Sequence, residues 1–391
     1  MSRKVYLDNN ATTPLHPEVL NEIMPFLKGD FGNPSSIHQF GRKVRVKIDE
    51  AREKVAYAVG ADPSEIVFTA GGSESDNFAI KSYVWANRIN GGGHIITSSI
   101  EHHAVLDTCR YLEKNGYRVT YLPVDEYGMV NPSDVKNAIQ GDTILISIHH
   151  SNNEVGTIEP VEEISKIARS KGIALHTDAV QSLGKVPLNV NELGADLMSI
   201  SAHKLYGPKG IGALYIRKAV KKMHPLIHGG HQEKGRRGGT ENVAGIIGFG
   251  KACEIALDTL KDESARLIGL RDRLENLIME NIPYVKLNGH PAKRLPATLN
   301  MSFNFIEGEA VTMNLDLSGV AVSTGSACTS GTLEPSHVLI AMSIPREIIR
   351  GSVRFSFGRE NTMEDVDYLM EILPLIVKRV RQMSPSWKGA S

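Results

Sequence analysis

From about residue 60 to 216 the chain alternates short apolar runs with amphipathic stretches. EIVFT, HIITSS, VTYLPV, TILISIHH, IALHTDAV and LMSISA read as strands. Between them, ESDNFAIKSYVWANRI and PVEEISKIARSKG carry apolar residues at helical spacing. Strands that alternate with helices pair in parallel, because each crossover must carry the chain back to the starting end of the sheet. The pattern predicts an α/β fold whose central sheet is mostly parallel, with helices on both faces. GIGALYIR follows LMSISA closely and reads as one further, antiparallel strand. A helical pattern from about Asn242 to Asn281 then leads to a second region, with strands ATLNMSFNF and GSVRFSFG and a last helix, MEDVDYLMEILPLIVKRV.

Charge and cysteine content narrow the function classes. Lys and Arg number 44 and Asp and Glu number 44, so no bulk charge draws the chain to nucleic acid or to a membrane surface. The basic cluster Lys234, Arg236 and Arg237 lacks interleaved aromatics and reads as part of a loop at an interface. Three cysteines, at 109, 253 and 328, are too few and too scattered for a disulfide framework or a zinc knuckle. A reducing, cytoplasmic setting follows as the expectation. MSRKVYLDNNATTP has no apolar signal-like run, and VAGIIGFGKACEIAL, which carries Lys251 and Glu254, is too short to span a bilayer.

In open α/β sheets, ligands bind beyond the carboxyl ends of the strands. GGSESDN follows EIVFTA; its glycines permit a tight turn, Ser73 and Asp76 have the spacing of a capping box, and the helix start offers free amides to an anion. The segments after the later strands bring His102, Asn153, Asp178, Gln181, His203 and Lys204 towards one sheet edge. Singly, each has a plain reading: a solvated lysine, a capping asparagine, a core histidine. Together, a carboxylate at one strand end and a lysine after a neighbouring strand form a specific pair. The Asp can keep a pyridine nitrogen protonated and the Lys can form a Schiff base, which is what pyridoxal phosphate chemistry requires of a protein. The turn at Ser73 would take the phosphate. No G-x-x-x-x-G-K-[ST] or H-E-x-x-H pattern is present, and GPKGIG lacks dinucleotide-binding spacing.

Cys328 stands apart from the other thiols. It sits in VSTGSACTSGTLEP, among small and polar residues suited to a loop that exposes a thiol. Cys109 in LDTCRYLEKN and Cys253 in GFGKACEIAL fit the apolar faces of helices.

YLDNNATTP, GNPSS, SIEHHAV, HTDAVQS, SAHKLYGPKGIG, RRGGTEN and GSACTSGTLEPSHVL together resemble the NifS/IscS cysteine desulfurases, from residue 5 to about 360. The resemblance implies a fold-type-I pyridoxal phosphate homodimer that turns L-cysteine into L-alanine and keeps the sulfur as a persulfide. It implies a large domain over 15–258 and a smaller α/β domain from 1–14 and 259–391 that carries the cysteine loop. Lys204 would hold the cofactor and remove the α-proton. Asp178 would pair with the ring nitrogen and Gln181 with the ring hydroxyl. His102 would stack on the ring, assist proton transfer and activate the thiol of Cys328, the persulfide cysteine. Gly72, Ser73, Ser201 and His203 would bind the phosphate, with Ser73 in a place where the family often has Thr. Thr240 would reach the phosphate of the other subunit. Asn153 would lie near the substrate and the ring hydroxyl, and Arg354 would hold the substrate carboxylate. The eleven residues Ser323 to Leu333 resemble the long-loop branch, which implies sulfur delivery to an iron–sulfur scaffold protein of the IscU/NifU type. No permanent metal site is implied, only transient contact of Cys328 with a cluster on that scaffold. Another fold-type-I aminotransferase or a selenocysteine lyase would need Lys204 and Asp178 but not an attacking Cys328.

Overall fold

The computed structural model describes residues 3–89, 91–324 and 335–387. The chain begins with a two-residue strand, β1 (Val5–Tyr6). Seven strands then form the central sheet: β2 (Ile66–Thr69), β3 (His94–Ser98), β4 (Arg118–Leu122), β5 (Thr143–Ser147), β6 (Ala174–Asp178), β7 (Leu197–Ser201) and β8 (Gly212–Ile216). Their order is β2-β8-β7-β6-β5-β3-β4. β4, β3, β5, β6 and β7 are parallel, while β8 runs antiparallel to both β7 and β2. The mostly parallel sheet and the antiparallel GIGALYIR strand are thus as expected. Because β8 reverses twice over, β2 points the same way as the parallel set, and the turn after β2 shares an edge with the ends of β3, β5, β6 and β7.

Successive side chains of these strands enter opposite layers, as the pleat requires. Ile66 and Phe68 pack with Met198, Ile200 and Tyr215 under the helices Pro17–Lys28 and Gln39–Val59, while Val67, Leu197 and Leu214 pack on the other face with Phe78. Ile96 and Ile146 divide from Ile95 and Leu145 in the same manner. Fully buried side chains of this kind contribute about 1.5–3 kcal/mol each through removal from water.

The helix Val243–Asn281 has the bounds its pattern predicts, with Asn242 accepting from Gly245 N–H at 3.1 Å as its cap. Its first half enters the core of the large sheet through Ile246, Phe249 and Cys253. Its second half enters another core, through Leu267, Leu270, Leu274 and Ile278. A methyl group on Gly250 would lie 2.7 Å from the Ala51 backbone, so glycine lets this helix cross Gln39–Val59 closely. The second core covers β9 (Val285–Asn288), β10 (Thr298–Phe303) and β12 (Ser352–Ser356), an antiparallel sheet of order β12-β10-β9. β1 does not join the large sheet. It pairs in parallel with β11 (Val320–Ala321), and Asp8 bridges to Ser356. Among the described residues no helix is long and apolar enough to cross a membrane.

One local reading needs correction. Ser73 and Asp76 do not form a capping box: the N-cap of Gly72–Asn77 is Gly71, at φ 150°, and Ser73 lies inside the first turn. Asp76 instead turns inward, with Oδ1 3.7 Å from His176 Nε2. The helix after the cysteine segment begins at His337, where Ser336 supplies the cap by accepting from Leu339 N–H at 3.2 Å. Within the eleven-residue segment Ser323 to Leu333, the positions from 325 on, Cys328 included, lie outside the described residues.

Candidate active site

β6 ends on Asp178, and β7 ends on Ser201 and runs into a single 3₁₀ turn, Ala202–Lys204. The two strands are adjacent and parallel, so the carboxylate and the lysine meet at one edge. Asp178 Oδ1 accepts from Val180 N–H at 2.9 Å. Burial pushes its carboxyl up to about 6, against the pull of the Val180 bond. At neutral pH it still ionises, and a protonated ring nitrogen would hold it so.

The strap from Asp8 to Thr13 crosses this edge and ties the site together. Lys204 Nζ donates to Asn10 O at 2.5 Å and Ala11 O at 2.8 Å. Gln181 Nε2 also donates to Asn10 O, at 2.9 Å. Asn10 Nδ2 donates to Thr298 Oγ1 at 2.8 Å and to Asn153 O at 3.2 Å. His203 Nδ1 lies 3.2 Å from Thr12 Oγ1, and its carbonyl accepts from Thr13. Asn10 was singled out only as part of a motif. Its role is visible once β1 is seen to carry it, through pairing with β11, over the strand ends.

His102 caps the helix His103–Glu113, its Nδ1 accepting from Ala104 N–H at 3.1 Å. Burial, then the Lys204 charge, lowers its imidazole to about 4. The ring is therefore neutral, and with Nδ1 engaged its proton sits on Nε2. Behind it, Glu101 is fully buried, accepting from Ser98 Oγ at 2.6 Å and His149 N–H at 3.0 Å, and this fixes the turn that presents His102.

The turn after β2 is shaped for an anion. A Cβ on Gly72 would meet Val180 Cγ2 at 2.8 Å, so glycine lets this backbone pack against Val180 with Ser201 Cβ at 3.7 Å. Ser201 Oγ is buried and has no partner among the described residues. An orphaned hydroxyl, a glycine cradle and a helix start converge where a phosphate would need donors. These residues, with Lys204 and Asp178, fit pyridoxal phosphate.

Arg354 in β12 is 2% exposed. Its Nη1 donates to Asn153 O at 3.0 Å and its Nη2 pairs with Asp8 Oδ1 at 2.8 Å, while Nε is buried without a partner among the described residues. Thr240 is exposed, and among the described residues it makes no hydrogen bond to this group. Of the basic cluster, Arg237 pairs with Glu74 at 3.0 Å and Arg236 donates to Ser64 O at 3.3 Å.

Both ends of the cysteine segment are fastened beside Arg354. Ser323 exchanges backbone bonds with Arg354 at 3.2 and 2.7 Å. Ser336 Oγ donates to Glu154 Oε2 at 2.5 Å, and His337 Nε2 lies 3.0 Å from Glu101 O. Glu154 is 3% exposed, and burial raises its carboxyl to about 7. A raised carboxyl favours the fold in its neutral form, so the stability it contributes is complete at acid pH and is lost as pH rises from about 4.5 to about 7. The loss amounts to about 3 kcal/mol as an order of magnitude. Glu154→Gln should therefore gain on the wild type by a few degrees in melting temperature between about pH 5 and pH 8. Thermal melts across that range check this; a constant difference between the two proteins would refute it.

The aminotransferase class-V family matches residues 5–369, and the chain belongs to that pyridoxal phosphate-dependent family. Within it the chain is of the NifS/IscS cysteine desulfurase type. It is 56% identical over 391 residues to "Cysteine desulfurase IscS" of Dictyoglomus turgidum, covering 99% of both chains. It is 54% identical to "Cysteine desulfurase IscS" of Methanosarcina thermophila, over 98% of this chain and 94% of that one. A solved NifS-like protein superposes with a TM-score of 0.91 at 40% identity, over 96% of this chain and 100% of the other. "SspA in complex with cysteine" superposes with a TM-score of 0.81 at 41% identity, over 90% of this chain and 99% of the other.

Proposed function

We propose that this protein is a cysteine desulfurase that converts L-cysteine to L-alanine, holds the sulfur as a persulfide on Cys328 and passes it to an iron–sulfur scaffold protein. The observation that carries the reading is the meeting of Lys204 and Asp178 at the ends of adjacent parallel strands, with buried Arg354 reaching the same Asn10–Asn153 strap. When bound, pyridoxal phosphate supplies an electron sink for the substrate α-carbon. Asp178 keeps the ring nitrogen protonated, and Gln181 donates to the ring hydroxyl. Gly72, Ser73, Ser201 and His203 take the phosphate. Lys204 Nζ would hold the cofactor and, as a free amine, would accept the α-proton. Arg354 binds the substrate carboxylate through Nε, the edge that Asp8 leaves uncovered, with Asn153 beside it. His102 would face the cofactor ring, with Nε2 free to donate. Cys328 as thiolate would attack the substrate sulfur: the S–S bond forms as the substrate Cβ–S bond breaks, and the carbon left with that electron pair takes up a proton to become alanine.

Thr240 is assigned to the phosphate of the opposite subunit in a homodimer. Exposed Phe31, Ile37 and Phe40, at 80%, 89% and 60%, supply apolar surface for such an interface. The two cores joined by Val243–Asn281 support the division into 15–258 and 1–14 plus 259–391. The low cysteine count supports a reducing, cytoplasmic setting. Incubation of the loaded protein with cysteine and a reductant should yield alanine and sulfide in equal amounts. Alanine from selenocysteine alone, or amino transfer to a keto acid without sulfide, would replace this reading with a lyase or an aminotransferase.

A further inference from the structure

Lys185 is a cation in an unexpected place. It follows Gln181 by one helical-type turn, in QSLGK, and its Nζ donates to Gln181 Oε1 at 2.9 Å and to Asn10 Oδ1 at 3.2 Å. Both acceptors are neutral amides. The charges that act on it are cations, Lys204 and Arg354, and His203 feels its field in turn. Across the small void beside it stand His16, Glu263 and Arg359, with Glu263 already paired to Arg266 at 2.7 Å. Burial, and then Lys204 and Arg354, lower its ammonium to about 7. Taking a cation out of water among other cations is costly. Packing alone would be served better by a methionine.

An ammonium has donors and no acceptor, so whatever it touches must turn an oxygen towards it. That decides the orientation of two amides. Gln181 must present its NH₂ away from Lys185, where it now meets Asn10 O next to Lys204. Asn10 must present its NH₂ to Thr298 and Asn153. We propose that Lys185 is a positioning residue for the cofactor ring: it locks the Gln181 amide as a donor towards the ring hydroxyl and sets a positive charge one amide away from that oxygen. The proposal rests on the reading of Gln181 given above. It also explains the cluster of cations, since the ring oxygen, the phosphate and the substrate carboxylate are the anions that balance it.

The test is a pH titration of the absorption band of the loaded, yellow protein, with cofactor affinity measured alongside. Lys185→Met removes the charge and the lock. An anionic ring oxygen then loses support, so the chromophore should hold its proton to higher pH, by about one unit. Cofactor binding should weaken by about tenfold, with far-UV dichroism unchanged. Lys185→Arg, which keeps charge and donors, should restore most of both. Should Lys185→Met not fold, Lys185→Gln carries the same test. Gln181→Leu separates the layers of the argument. If Gln181→Leu moves the titration and Lys185→Met does not, the role of Lys185 is overturned and that of Gln181 stands. If neither moves it, the Gln181 assignment falls and the proposal falls with it. Equal shifts in Lys185→Met and Lys185→Arg would also overturn it, because packing would then be the only property lost.

Discussion

Cys328→Ser is expected to leave the cofactor bound and to abolish alanine formation, with a loss of about a thousandfold or more. None of the groups that grip the cofactor or the substrate carboxylate needs the thiol. The mutant should therefore bind cysteine, change colour on doing so, and stop there. Transfer of labelled sulfur to an iron–sulfur scaffold protein should vanish with it. Cys109→Ser and Cys253→Ser provide the contrast. Both thiols are 0% exposed, in apolar clusters, and burial pushes both well above the ordinary thiol range. A thiol that does not ionise is a poor nucleophile. These two variants should turn over normally and lose only stability, by about 1 kcal/mol each. Alanine formation by Cys328→Ser at the wild-type rate would remove thiol attack from the mechanism.

Lys204→Ala should be equally silent, for a different reason. The alanine protein has no amine at the end of β7 to hold the cofactor or to take the α-proton, so borohydride should fix no label to the peptide around residue 204. This dead variant also reports on assembly. If Thr240 serves the opposite subunit, Thr240→Val weakens a site whose Lys204 lies in the other chain. Exchange of subunits between Lys204→Ala and Thr240→Val proteins then creates one intact site per mixed dimer. Random exchange of equal amounts should recover about a quarter of wild-type activity. No recovery despite proven exchange, or a fully active monomer in sedimentation, would exclude the shared site. Label on a lysine other than Lys204 would exclude the assignment of the cofactor.

The large sheet was legible because its strands are short and, apart from the edge strand β4, apolar and buried on both faces, so each stood out against its helical neighbours. Asp178, Gln181, His203 and Lys204 were legible for a related reason: each lies at or just beyond the end of a readable strand, whereas Ser201 entered only through the family resemblance. Three features were not. Gly71 caps its helix by a backbone angle at φ 150°, which no side-chain pattern announces, so the Ser73–Asp76 spacing misled. The helix containing ESDNFAIKSYVWANRI widens to a π turn at Phe78–Ser82, a change of hydrogen-bond register that leaves the apolar spacing intact. Asn10 and Lys185 reach the site through contacts 171 to 194 residues apart in sequence, or through a lysine that looks like an ordinary solvated one. Such residues become visible only when the path of β1 is known.

That path has a consequence for how the molecule is made. β1 finds its partner only at Val320–Ala321, and Asn10 N–H is held by Ser356 Oγ at 2.9 Å. Residues 5–10 leave the ribosome long before their seats at Val320–Ala321 and Ser356 are synthesised. The large sheet, complete by Ile216, can form while the chain is still growing. The strap over Lys204 cannot. A nascent chain therefore carries Lys204 and Asp178 in place without the grip that orders them, and the site closes only after β12 has emerged. Translation order itself keeps a reactive amine and a sulfur-cleaving centre unassembled until β12 has been made.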